Sequence, residues 1–197
     1  MKQKVRFFTI GVVWNTPVFL FLTVLFVCGV IAGGFTGLLG REDDTVSRLA
    51  THLVNAAQTA PSAQQVLGAL GGTVGWIVLA LLGGLLPPPS LFIGAVVAAR
   101  GFSLAFTVTS MVAQLGMHGL WLSLAATGAV SILTVPCLLI VAAAAYLAVC
   151  DAPRGQKTGY FYALGRYRGA LAVCLALSIV AAVLRAVLAP LALRLLA

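Results

Sequence analysis

Carboxylates are nearly missing from this chain. Its 197 residues hold only four, Glu42, Asp43, Asp44 and Asp151, and charged residues make up 8% of the total, where a soluble domain carries about a quarter. Histidine is as scarce, with His52 and His118 standing in separate segments. Metal-dependent and acid–base chemistry inside a membrane needs clustered His or acidic groups, which so few residues do not supply. The HExxH, GxSxG and P-loop patterns are absent as well. Ser103, Ser110, Ser123 and Ser131 lie in apolar surroundings without a nearby base, where a hydroxyl more often bonds a helix carbonyl than attacks a substrate. Enzyme is therefore the weakest class, and no catalytic residue, cofactor or metal ligand is expected. Cys28, Cys137, Cys150 and Cys174 form no CxxC pair and lie in or beside apolar segments. They read as small buried hydrophobes rather than as disulfides or metal ligands.

What the chain does have is apolar length. Hydrophobic residues make up 61% of it, in blocks at 17–39, 68–116, 119–149 and 169–196. A bilayer core of about 30 Å needs about 20 helical residues. The block at 68–116 is too long for one span and right for two. The expected fold is an all-α, polytopic integral membrane protein forming one membrane domain. Its five transmembrane helices fall at about 17–39, 68–86, 91–116, 119–149 and 169–196. The first follows Lys2, Lys4 and Arg6 but exceeds a signal-peptide core in length, so it reads as a retained helix.

Three consecutive prolines, Pro87, Pro88 and Pro89, decide where the long block folds. Each lacks a backbone donor and pushes its predecessor out of the α region, so a run of three should end a helix rather than kink it. The alternative carries the second helix through the prolines to turn at Arg100–Gly101. That leaves 101–116 for the third helix, about 24 Å and short of the core.

Charge sets the expected orientation. Twelve Lys and Arg against four acids give a net charge of +8, an excess that in a membrane protein reports topology and anionic lipid, not nucleic acid. Lys2, Lys4 and Arg6 fall on one side with Arg154, Lys157, Arg166 and Arg168. The positive-inside rule puts the N-terminus inside and the C-terminus outside. Trp76 and Trp121 are then expected near the outer interface, and Trp14, Tyr160, Tyr162 and Tyr167 near the inner one. The extracytoplasmic loop 40–67 contains an amphipathic pattern at 45–58, with Val46, Leu49, Ala50, Leu53, Val54 and Ala57 on one face. It would lie on the bilayer or bundle, or dock another protein. "SAQQ" (62–65) has capping-box spacing and can open the second helix.

Two arginines fall within apolar helices. Arg100 stands about 13 Å into the third helix, where a central charge costs about 2.5–3.5 kcal/mol before snorkelling. Its guanidinium can meet Asp151 at the end of the fourth helix, or reach lipid phosphates. Arg185 would point the other way, toward outer headgroups or Glu42–Asp44. Gly29, Gly33 and Gly37 repeat a small-xxx-small spacing, as do Gly101 and Ala105, which permits close helix approach within the bundle or between copies. Pro136 and Pro190 should bend their helices. Broken helices and membrane arginines also occur in transporters, although no intramembrane carboxylate is present to couple ions.

In order, "FLFLTVLFVCGVIAGGF" (19–35), "ARGFSLAFTVTSMVAQLGMHGLWLSL" (99–124), "TVPCLLI" (134–140) and "RAVLAP" (185–190) resemble the stage II sporulation protein M family, engulfment membrane proteins of endospore-forming bacteria. The chain departs from it at "GAVS" (128–131), where the family tends to be polar, and at Arg185, where it often has an acid. A role needing that carboxylate is in doubt. The resemblance implies a non-enzymatic scaffold in the mother-cell membrane. Its expected partners are membrane lipids, a peptidoglycan lytic transglycosylase and an amidase/endopeptidase, contacted through 40–67 and 114–121. A small transporter or permease subunit is the other reading.

Overall fold

The computed structural model describes residues 17–39, 63–86, 88–124, 128–151 and 157–196, with side chains described at most positions inside those ranges. The expected loop 40–67, up to its last residues, and the amphipathic segment 45–58 lie outside them, as do Trp14, Pro87 and the basic N-terminal residues. Among the described residues the structure is all-helical, with no strand. The helices are α1 (Pro17–Leu39), α2 (Ala63–Gly83), α3 (Pro89–Ser123), α4 (Ala129–Asp151), α5 (Lys157–Gly165) and α6 (Arg168–Leu196).

Three of these stretches are long and apolar enough to cross a membrane: Pro17–Leu39, Pro89–Ala113 and Val130–Asp151. A fourth arises if Gly159–Gly165 and Arg168–Leu184, bent by 76°, make one broken span. α2 is 21 residues long, but its described apolar stretch, Gly71–Gly83, falls short of the same test. α1 turns Leu20, Phe21, Val24, Val27, Ile31 and Phe35 outward. So large an apolar surface is untenable in water and matched by lipid. These helices mark a membrane protein.

The proline run sits at a reversal. α2 closes with Gly84 N–H on the Leu81 carbonyl (3.3 Å) and Leu85 N–H on Leu82 (2.9 Å). Pro88 is extended (φ −82°, ψ 123°) and Pro89 is the first residue of α3, where a missing N–H leaves no bond unmade. The Pro88 carbonyl then accepts from Leu91 N–H at 3.2 Å. A Cβ at Gly83 would lie 3.4 Å from Ile93 N, so α2 and α3 form a tight antiparallel hairpin, and no helix runs through to Arg100–Gly101.

The third helix, expected to end at 116, has an irregularity at that residue. α3 stops being regular at Gly116 (φ 59°, ψ −133°), the one described residue with positive φ. That conformation is open to glycine and strained for any residue with a Cβ. A short helical piece follows to Ser123, and α4 begins at Ala129. Of the helix expected over 119–149, the described parts are the piece up to Leu124 and α4 from Ala129. α4 holds the centre of the bundle, packed on α1, α2, α3, α5 and α6. Leu138–Ala145 are buried without interruption, and the alanines let the neighbouring helices approach. Pro136 lies inside α4 and leaves the Ile132 carbonyl without its usual donor.

Helix direction follows from contacts. α1 and α3 run parallel, because Gly29, Gly33 and Gly37 face Ala98, Phe102 and Phe106 in ascending order. Tyr160 of α5 touches the end of α2, and Asp151 at the end of α4 shares a cleft with Arg166 and Arg168. The proline hairpin, the end of α4 and the α5–α6 elbow therefore share one end of the bundle. α1, α2, α3, α4 and α6 alternate in direction.

Candidate functional site

Two regions carry the residues of interest. The first is the seam between α1 and α3. Gly29, Gly33 and Gly37 recur every four residues, so they stack on one face of α1. They are buried while Gly34, next in sequence, meets nothing. A Cβ at Gly29 would collide with the Ala98 carbonyl, at Gly33 with the Phe102 carbonyl, and at Gly37 with Thr109 Oγ1. α3 answers with Gly101, where a Cβ would meet the Phe26 carbonyl and lie 3.2 Å from Val30 N, and Gly94, where it would lie 2.9 Å from Leu25 Cδ1. The helices touch backbone to backbone, a spacing that favours dispersion and Cα–H···O contacts in lipid. Of the two destinations open to the glycine repeat, the structure shows the intramolecular one. Thr109 donates to the Ala105 carbonyl at 2.7 Å and so carries its hydroxyl through an apolar interface with its bonding satisfied.

Arg100 stands at the back of this seam, beside Gly101. Its guanidinium carbon lies 5.6 Å from the ring centroid of Trp76 on α2, within cation–π range. It does not reach for Asp151. Eleven residues of α3 separate it from Pro89, about 16 Å of rise, whereas Asp151 ends α4 at the hairpin end. Trp76 lies in the second half of α2 and packs on the core. The aromatic ring offers the guanidinium its negative face.

The second region is the hairpin end. The Tyr160 hydroxyl donates to the Leu81 carbonyl at 2.8 Å, and its ring fills the space a side chain at Gly84 would occupy. Tyr160 and Tyr167 are buried, while Tyr162 is 89% exposed and Phe161 59%. Of the three tyrosines expected at an inner belt, two instead pin the elbow to the bundle. Beside them lies a cleft of about 820 Å³, lined by Asp151, Phe161, Tyr162, Ala163, Gly165, Arg166 and Arg168. It brings one carboxylate against two guanidiniums, all exposed.

The remaining expected residues are scattered. Arg185 lies within α6 and its side chain is outside the description. Cys137 on α4 and Cys174 on α6 are both buried and unbridged. The Thr134 hydroxyl is buried with no hydrogen-bond partner in the structure. Among the described residues no three His, Cys, Asp or Glu side chains converge. Sequence reasoning missed Trp76 as the partner of Arg100, and Tyr160 as a clamp. The only signal was a ring-sized gap implied by Gly83–Gly84.

The fold and site define an α-helical membrane bundle with a glycine-built seam, a half-buried arginine and a mixed-charge cleft at one end. Compared with protein-family models, curated proteins and solved structures, the chain matches none of them.

Proposed function

We propose that the protein is a five-span, non-enzymatic membrane scaffold of the stage II sporulation protein M type. It would hold a peptidoglycan lytic transglycosylase and an amidase/endopeptidase at the mother-cell membrane during engulfment. The observation that carries this reading is the fate of the residues behind the resemblance. Gly29 and Gly33 of "FLFLTVLFVCGVIAGGF" and Gly101 of "ARGFSLAF" build one seam, and Gly116 of "QLGMHG" makes the break after α3. A shared set of architectural glycines is what a common scaffold fold needs, and it asks for no catalytic set.

The alternation of α1, α2, α3, α4 and α6 supports five crossings, with α2 as a glycine-rich span and α6, after the elbow, as the fifth. The charges of 1–6 and 154–168 support a cytoplasmic hairpin end, with the N-terminus beside it and the C-terminus outside. On this reading the loop 40–67 and the turn 114–121 face the wall, where hydrolases act. A permease subunit is the second reading, favoured by the elbow of 76° and by Arg100 at mid-helix.

Affinity capture of the full chain from sporulating host cells tests the choice. Recovery of the two hydrolase classes, with loss of engulfment on deletion, is expected. Recovery of a transport ATPase without hydrolases would establish the permease.

A further inference from the structure

We propose that the cleft at the hairpin end is a headgroup site for an anionic phospholipid whose headgroup carries hydroxyls, of the phosphatidylglycerol class. This rests on the membrane character of the helices and is independent of the scaffold reading.

The cleft sits where two apolar helices end. α4 finishes at Asp151 and α6 begins at Arg168, so its charges lie at the depth where hydrocarbon gives way to headgroups. Its volume, about 820 Å³, admits a phosphodiester with its polar substituent. Arg166 and Arg168 flank the elbow, two residues apart, and contribute two planar forks suited to phosphate oxygens. The first amides of α6 add to this. Leu171 is the first of that helix seen donating back, to the Tyr167 carbonyl at 3.0 Å, so the preceding turn presents N–H groups at the positive end of a 29-residue helix. Gly169, with no side chain, leaves that turn uncovered. Exposed Phe161 and Tyr162 fit the aromatic lining common at headgroup level.

Asp151 moderates the charge and adds an acceptor. Among the described lining residues, two guanidiniums and one carboxylate leave one net positive charge for a phosphodiester. The carboxylate accepts hydrogen bonds and donates none. Headgroup hydroxyls can donate to it, whereas the quaternary ammonium of phosphatidylcholine meets it through charge alone, so the preference for an anionic lipid rests on Arg166 and Arg168. Basic clefts among helix ends on a charged membrane face bind acidic headgroups on the same grounds.

Native mass spectrometry of the full chain in detergent, supplied with equal phosphatidylglycerol and phosphatidylcholine, is the test. Wild type should retain phosphatidylglycerol about tenfold over phosphatidylcholine, as two surface guanidiniums allow. R166Q/R168Q should fall to the phosphatidylcholine level, and R166K/R168K should keep most of the preference. D151N removes the opposing charge but keeps an acceptor, so it should raise phosphatidylglycerol retention. That variant decides the matter if R166Q/R168Q does not fold. Equal retention of the two lipids by wild type overturns the proposal, as does unchanged retention in a folded R166Q/R168Q or reduced retention in D151N. Full displacement of the lipid by millimolar inorganic phosphate would assign the cleft to a soluble anion instead.

Discussion

The α1–α3 seam and the α5–α6 elbow hold the same bundle together by opposite means. In the seam, side chains are removed: Gly29, Gly33, Gly37 and Gly101 let backbone meet backbone. At the elbow, side chains are inserted: Tyr160 spans from α5 to the Leu81 carbonyl and packs on Gly84. The difference follows the solvent. Lipid offers no hydrophobic drive between apolar helices, so contact area and close approach must supply cohesion. Near the helix ends, polar groups find water and headgroups, and a hydroxyl-to-carbonyl bond can fix a bend. The seam should therefore fail by collision, with no tolerance for bulk, and the elbow by gradual loosening.

Substitutions can break that contrast, beginning with the largest effect. Gly29→Leu or Gly101→Leu drives a side chain into a helix backbone that cannot yield. Either should destabilise by about 3 kcal/mol or more, seen as loss of folded protein in detergent by size-exclusion chromatography. Gly116→Ala forces a Cβ into a positive-φ conformation and should lose about 1–3 kcal/mol in thermal unfolding. Arg100 and Trp76 should show coupling of about 0.5–2 kcal/mol in a double-mutant cycle using Arg100→Gln and Trp76→Leu. Additivity would remove the cation–π account of the half-buried charge. Tyr160→Phe keeps the ring and loses the bond to Leu81, an effect of about 1 kcal/mol. Faster proteolysis at the elbow, with cleavage within α1 and α3 unchanged, would show that the two regions loosen separately.

The same contrast explains what could be read from residues alone. The glycine repeat at 29, 33 and 37 was legible because periodicity places it on one face, and Pro87–Pro89 because a run of prolines has one reading. The elbow was not. "KTGYFYALG" is too polar and short to stand out as a membrane element, yet it folds as α5 because Tyr160 has a site on α2. The partner of Arg100 was equally hidden. Sequence distance favoured Asp151 as the nearest available opposite charge, whereas helix register set Trp76 beside the guanidinium. In the sequence the turn at 114–121 sets the end of the third helix at 116, and Gly116 takes there a φ that interrupts a helix.

Gly33 and Gly34 are neighbours of one type in one helix, and they provide the most direct measurement. A Cβ at Gly33 meets the Phe102 carbonyl, and one at Gly34 meets nothing within 4 Å. Thermal unfolding of Gly33→Ala and Gly34→Ala in the same detergent isolates the seam from helix propensity, which alone would favour both by about 0.5–1 kcal/mol. The backbone-to-backbone seam predicts that Gly33→Ala unfolds at a clearly lower temperature than wild type while Gly34→Ala is unchanged or more stable. Equal behaviour of the two variants would contradict it.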